Sequence, residues 1–212
     1  MTVFLHIILA VFGYLIGSLN SAILVSGIYR KDIRKEGSKN AGLTNVLRVL
    51  GKKAALAVLV LDMLKGVITT GIGYILVKDG LSGALIAGIF TIIGHIFPVF
   101  FNFKGGKGIL LSLAVLLMTD WKIALIGLGI FIIIVALTRY VSLGSMIAIF
   151  CAPLLAWLFN HNAFFIISMG FLAALTIFMH KGNIKRLLSN TENKLSFKKP
   201  EMRKINDESD NN

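Results

Sequence analysis

Apolar residues run in long blocks along this chain, and polar residues collect between the blocks. A helix needs about 20 mostly apolar residues to cross a bilayer core. Residues 3–27 form the first such block, in which His6 is the one side chain able to carry charge near neutral pH. A polar run over 28–53 follows, then a second block over 54–77 that is interrupted only by Asp62 and Lys65. Beyond Lys78-Asp79-Gly80 come blocks at 83–101, 109–118, 123–137, 143–160 and 163–179, separated by short polar breaks. The pattern predicts an all-α polytopic transmembrane helix bundle of about seven spans. The block 109–118 is short: at 1.5 Å per residue it covers about 15 Å, half a bilayer core. It either borrows residues from the loop before it or forms a half-helix. A five-span variant makes 109–137 a re-entrant hairpin. Both arrangements put the two ends of the chain on opposite sides.

Composition agrees. Of the 212 residues, 56% are hydrophobic and 15% charged, and the formal net charge is +12. The mean hydropathy is +0.83. A disordered chain would be polar. A disulfide scaffold would need more than the single Cys151. Unbroken aliphatic sequence also speaks against a nucleic-acid domain. Of the 22 Lys and Arg, 19 fall in 28–53, 102–108, at Arg139 and in 181–212, whereas the intervening loops hold only Lys78 and Lys122. The positive-inside bias therefore predicts an external N-terminus and a cytoplasmic C-terminus. The first block lacks a basic leader and a small-residue cleavage site, so it reads as a retained span rather than a signal peptide. Gly13, Gly17 and Ser21 recur there every four residues, a spacing that suits close helix packing in lipid. Residues 1–199 then form a single membrane domain. Its polar loops 28–53, 102–108, 138–145 and 180–194 share the cytoplasmic face, and 200–212 read as a disordered polar tail.

Candidate chemistry lies in those loops. Residues 32–48 pack Ser38, Asn40, Thr44, Asn45 and Arg48 among Gly37, Gly42 and several bases. Hydroxyl, amide and guanidinium donors suit a phosphate or a carbonyl oxygen. The plainer alternative is a solvated basic loop with a helix cap at Ser38 or Asn40. A second run, His95 to Gly108, ends in Lys104-Gly105-Gly106-Lys107-Gly108 just before an apolar block, a plausible anion cradle at a helix start. His95 falls about two helical turns before it. The run Arg139-Tyr140-Val141-Ser142 reads most simply as a turn with one orienting arginine. In the last loop, His180, Asn183, Arg186 and Glu192 stand among lysines that would sit on anionic lipid headgroups. Asp62 and Lys65, at i and i+3 inside a span, read as a structural ion pair.

Other chemistries are poorly served. No histidine is followed five residues later by aspartate. Cys151 lies in a span, away from bases that would favour a thiolate. The only D-x-x-D is Asp207 to Asp210, in the tail. No metal site and no cofactor is expected.

Several of these runs resemble the bacterial acyl-phosphate:glycerol-3-phosphate acyltransferases. They are Gly17-Ser-Leu-Asn-Ser-Ala22, Asp32-Ile-Arg34, Gly37 to Asn45 with Arg48, and Leu61-Asp-Met-Leu-Lys-Gly66. Gly94-His-Ile-Phe-Pro98, Phe103 to Gly108, Arg139 to Leu143, and Asn183 to Leu187 with Glu192 continue the likeness, in order, over nearly the whole chain. The resemblance implies a membrane enzyme that moves an acyl chain from acyl phosphate to the 1-hydroxyl of glycerol 3-phosphate, without cofactor, nucleic acid or obligate protein partner. It implies roles for Ser38 and Arg48, for Gly105, Gly106 and Gly108, and for His180, Asn183 and Glu192. In this chain Lys39 and Asn190 stand where the family usually has glycine. Leu43 replaces a usual alanine, and Asn20 a usual proline.

On that basis Ser38, Arg48, His180 and Asn183 are expected to be catalytic. Asn40, Thr44, Asn45, His95, Lys104, Gly105, Gly106, Lys107, Gly108, Ser142 and Arg186 are expected to bind substrate, and Asp62, Lys65 and Glu192 to be structural. Direct attack by the glycerol hydroxyl is the expected course. His180, His95 or the leaving phosphate takes the proton, and Ser38 as an acyl-enzyme nucleophile is the less favoured route. The competing class is a transporter or channel for organic phosphates, which would show inverted repeats and helices broken at mid-membrane.

Overall fold

The computed structural model describes residues 2–195, which contain helices and no strand. The expected disordered tail 200–212, with Asp207 and Asp210, lies outside the described residues. The helices are α1 (Thr2–Ser18), α2 (Ser21–Ile28), α3 (Leu43–Leu50), α4 (Lys52–Leu76) and α5 (Leu81–Ile96). They continue with α6 (Ile109–Thr119), α7 (Trp121–Thr138), α8 (Val141–Leu158), α9 (Ala163–Met179) and α10 (Lys181–Leu188).

Among the described residues, five stretches are long and apolar enough to cross a membrane: Val3–Ile28, Lys52–Leu76, Leu81–Phe101, Trp121–Thr138 and Val141–Leu158. Counting α9 with α10, which meet at a 59° bend, gives six. The remaining block of the seven expected is α6, only 11 residues long. The re-entrant variant does not describe its partner well, because α7 has 18 residues and is long enough to cross by itself. Nor do the two ends of α6 lie together. Gly108 shares a cavity with His180, which follows α9. Asp120 Oδ2 is 2.6 Å from Nε2 of His161, which precedes α9. The ends of α6 are thus tied to opposite ends of α9.

The first span is not one helix. It breaks at Leu19 and Asn20, and the break frees backbone carbonyls in an apolar setting, where an unsatisfied group costs several kcal/mol. The Lys65 ammonium donates to two of them, Leu19 O at 3.2 Å and Gly17 O at 3.5 Å. Asp62 lies 2.9 Å from Lys65 and accepts the Ser21 hydroxyl at 2.7 Å. The expected ion pair is therefore present, and it also fastens the break. Asn20 caps α2 by accepting from Ile23 N, and it donates to His95 O at 3.3 Å.

The small residues of α1 behave as expected only in part. A Cβ at Gly13 or Gly17 would strike the backbone oxygen of Ala87 or Thr91, so both glycines let α1 lie directly against α5. Ser21 lies past the break, in α2, and serves Asp62 instead. Packing of α5, α6, α8 and α9 forms the main core, with Phe165, Met169, Leu111 and Ile92 fully buried. A second core joins α2, α3 and α4 through Val25, Val46 and Val58.

Candidate active site

The loop between α2 and α3 is organised by one amide. Asn45 accepts from Ser38 N at 2.8 Å and donates to the carbonyls of Glu36, Ile33 and Asn40. With its side chain spent on the backbone and only 1% exposed, Asn45 shapes the loop. Gly37 has φ +56, and a Cβ there would strike Asn45 Oδ1. The cap of α3 is Gly42, with no side-chain hydrogen bond, so neither Ser38 nor Asn40 caps it. One turn apart on α3, Thr44 and Arg48 share a face that lines the cavity described below.

The glycine loop folds back on the end of α5. Gly105 N donates to Ile96 O and Gly106 N to His95 O, each at 3.1 Å. These two amides are committed to the fold. The glycines serve close approach: a Cβ at Gly106 would strike His95 Nε2, and one at Gly105 would strike His95 O. His95 therefore lies directly beneath the loop, not two turns away from it. Lys104 is exposed and outside the cavity, and Lys107 points into it.

Three side chains, one from the start of α8 and two from α10, meet at Glu192. Ser142 Oγ donates to Oε1 at 2.8 Å, Asn183 Nδ2 to the same oxygen at 2.7 Å, and Arg186 Nε to Oε2 at 2.7 Å. Asn183 Oδ1 in turn accepts from the Lys107 ammonium. The Arg139 segment, expected as a simple turn, thus holds the chain after α10 through Ser142. It also pairs Leu195 N with Arg139 O at 2.7 Å. A Schellman turn brings Glu192 back: Asn190 N donates to Leu187 O and Thr191 N to Arg186 O, with Asn190 at φ +55. The helix does not run straight through His180, because α9 and α10 meet there at 59°.

These environments move proton affinities. Burial lowers the Lys107 ammonium from 10.5 to about 8; Glu192 opposes the shift, and Arg186 and Arg48 add to it. Burial works against the Glu192 carboxylate, but hydrogen bonds from Asn183, Ser142 and Arg186 outweigh it and hold the group below its ordinary 4.5. Burial, then the Lys107 charge, lowers His180 to about 4 against the pull of Thr176 O and Glu192. His180 Nδ1 lies 2.8 Å from Thr176 O. A carbonyl only accepts, so Nδ1 carries the proton and neutral His180 keeps Nε2 as an acceptor.

One cavity of about 380 Å³ joins these groups. Its polar end holds Ser38, Asn40, Thr44, Arg48, Lys107, Ser142, His180, Asn183, Arg186 and Glu192. Asn45, Asp62, His95 and Gly108 also reach its wall, but Lys65, Lys104, Gly105 and Gly106 do not. Its other end is an apolar slot between α6, α7 and α8, lined by residues such as Leu113, Leu128 and Ile149. The slot residues were missed in the sequence because they look like any other part of a span. A helix-face spacing on α8 (Val141, Ser145, Ala148) is the signal that marks them. Also unforeseen is the company of His95, whose Nδ1 is 3.3 Å from Lys65 Nζ and 3.7 Å from Asp62 Oδ1.

A cationic pocket opening into an apolar slot, inside a bundle with helices of membrane-crossing length, defines an integral-membrane protein with a polar site joined to an apolar one. The chain belongs to the glycerol-3-phosphate acyltransferase family, whose profile matches residues 7–190. A glycerol-3-phosphate acyltransferase of Thermoanaerobacter pseudethanolicus is 49% identical over 194 residues, covering 91% of this chain and 96% of the relative. That of Clostridioides difficile is 41% identical over 204 residues, covering 94% of this chain and 100% of the relative. Among solved structures, the integral membrane glycerol 3-phosphate acyltransferase PlsY in its glycerol 3-phosphate form superposes with a TM-score of 0.85. It is 34% identical and covers 90% of this chain and 96% of that one. The lysophosphatidic acid form gives 0.83, again at 34% identity, over 91% and 96% of the two chains.

Proposed function

We propose that the protein transfers an acyl chain from acyl phosphate to the 1-hydroxyl of glycerol 3-phosphate. The products are 1-acyl-glycerol 3-phosphate and inorganic phosphate, an early step of phospholipid synthesis. The observation that carries this reading is the single cavity with a cationic head and an apolar slot, because each donor and product has both parts. Family membership and the neighbours crystallised with glycerol 3-phosphate and lysophosphatidic acid support it. The same reading places the protein in the bacterial inner membrane, N-terminus outside, with the loops and the cavity mouth on the cytoplasmic side. Seven crossings follow when the extended end of the glycine loop and α6 count together as one.

In this mechanism the glycerol hydroxyl oxygen attacks the acyl carbon, the bond from that carbon to the phosphate oxygen breaks, and phosphate leaves. Arg48, Lys107 and Arg186 hold phosphate charge, and Ser38 and Asn40 supply neutral donors near the developing oxyanion. The hydroxyl proton passes to the leaving phosphate. A histidine lowered to about 4 is a weak base at neutral pH, whereas a phosphate with a second pKa of about 6 is better matched. His180 instead accepts a hydrogen bond through Nε2 from the neighbouring 2-hydroxyl and so orients the acceptor, and Asn183 positions Lys107. His95, wedged between Gly106 and the Asp62–Lys65 pair, supports the loop rather than binding substrate.

The test is phosphate release by purified protein given acyl phosphate, with and without glycerol 3-phosphate and EDTA. Release that requires glycerol 3-phosphate and ignores EDTA is expected. Release without the acceptor, or none at all, overturns the reading. A labelled acyl group trapped on protein would overturn direct attack.

A further inference from the structure

We infer that Gly127 on α7 sets the acyl-chain length the protein accepts, an inference that rests on the acyl-transfer reading above. The slot has a definite floor. On α6 its lining runs from Ile109 to Leu116 and goes no further; on α8 it stops at Ile149; on antiparallel α7 it begins at Ala124. Leu116, Ile149 and Ala124 are 6%, 5% and 1% exposed, so the end is closed by packed side chains. Seven or eight residues of each helix separate this floor from the polar head, a depth of about 10–12 Å at 1.5 Å per residue.

One turn above the floor stands Gly127, and it is the position where space is left open. A Cβ built there would meet nothing nearer than Ala148 O at 4.0 Å, and Ala148 itself lines the slot across from it. A Cβ added at Gly127 thus strikes no backbone, and a longer side chain there takes up room at the cavity wall. Gly127 differs here from Gly13, Gly17 and Gly73, where helix contact forbids a Cβ. Helix packing does not require a glycine at 127, but room for the last carbons of a chain does. Gly129, two residues on, also has nothing within 4 Å, but it lies outside the cavity lining and provides a matched control on the same helix.

The experiment compares kcat/KM for acyl phosphates of four, six and eight carbons, because an extended chain of about eight carbons fills the depth of the slot. Gly127→Leu is expected to depress the eight-carbon donor by roughly tenfold or more relative to the four-carbon donor, the discrimination an apolar pocket achieves for surplus methylenes. Its KM for glycerol 3-phosphate stays at the wild-type value. Gly127→Ala gives a smaller shift in the same order and carries the test if the leucine variant does not fold. Gly129→Leu keeps the wild-type order. An equal loss at every length, or no change, overturns the assignment while acyl transfer stands. A wild-type protein that transfers no chain of any length overturns the acyl-transfer reading and the inference with it.

Discussion

The Lys107 ammonium donates to the Asn183 side-chain oxygen, which joins the glycine loop before α6 to the helix after α9. Asn183 passes the connection to Glu192, and Glu192 to Ser142 and Arg186. Three polar segments far apart in sequence are thereby held around one cavity by a carboxylate that accepts three hydrogen bonds.

Glu192→Gln tests that role. The substitution keeps an acceptor for Ser142 and Asn183 but turns an amide toward Arg186, and a hydrogen bond to a charged group contributes about 1.5–3 kcal/mol. A lower melting temperature in detergent and a reduced kcat are expected. The sign of the pH effect follows from the lowered carboxylate. Its contribution is complete above the unfolded value near 4.5 and is lost as pH falls through the folded value. Wild-type stability should therefore drop below about pH 4.5, and the variant should show less of that drop. Parallel curves for the two proteins would refute the role.

Lys107 gives the opposite limb. Its ammonium is lowered to about 8 in the unliganded cavity, so its charge fades as pH rises past that value. The KM for the phosphate-bearing substrates should rise between about pH 8 and 9.5. Lys107→Arg, always charged, should flatten that rise even if kcat falls with the changed geometry. A KM independent of pH over that interval would separate Lys107 from phosphate binding.

Two departures from the family pattern fall at left-handed backbone positions. Lys39 has φ +60 and Asn190 has φ +55. A lysine in that region is disfavoured by roughly 1–2 kcal/mol, whereas asparagine visits it readily. Lys39→Gly should therefore raise the melting temperature, and Asn190→Gly should change it little. Equal effects from the two would contradict this account.

The same positions show what the sequence could disclose. Apolar spans, polar loops and the polar residues of the cavity were legible because charges and small polar groups are expensive in lipid and so collect outside the apolar blocks. The roles inside the clusters were not legible. Whether Asn45 meets substrate or three loop carbonyls depends on where the chain turns, not on residue type. Asp62 and His95 are 33 positions apart, and only the packing of α4 against α5 brings them to 3.7 Å. The break at Asn20 was hidden because its carbonyls are satisfied from another helix.

That arrangement makes Lys65 a test of the whole first span. Lys65→Met would leave Asp62 without its cation and the carbonyls of Gly17 and Leu19 without their donor. Losing one partner of a buried pair costs about 3–5 kcal/mol. Asp62→Asn with Lys65→Met removes the stranded charge, so the double variant should recover part of the stability lost by Lys65→Met alone. Recovery should be incomplete, because no ammonium then reaches the carbonyls at the break. Full recovery would mean that the ion pair stabilises only itself. No recovery would mean that Lys65 acts through the carbonyls alone, and thermal unfolding of the two variants in one detergent distinguishes all three outcomes.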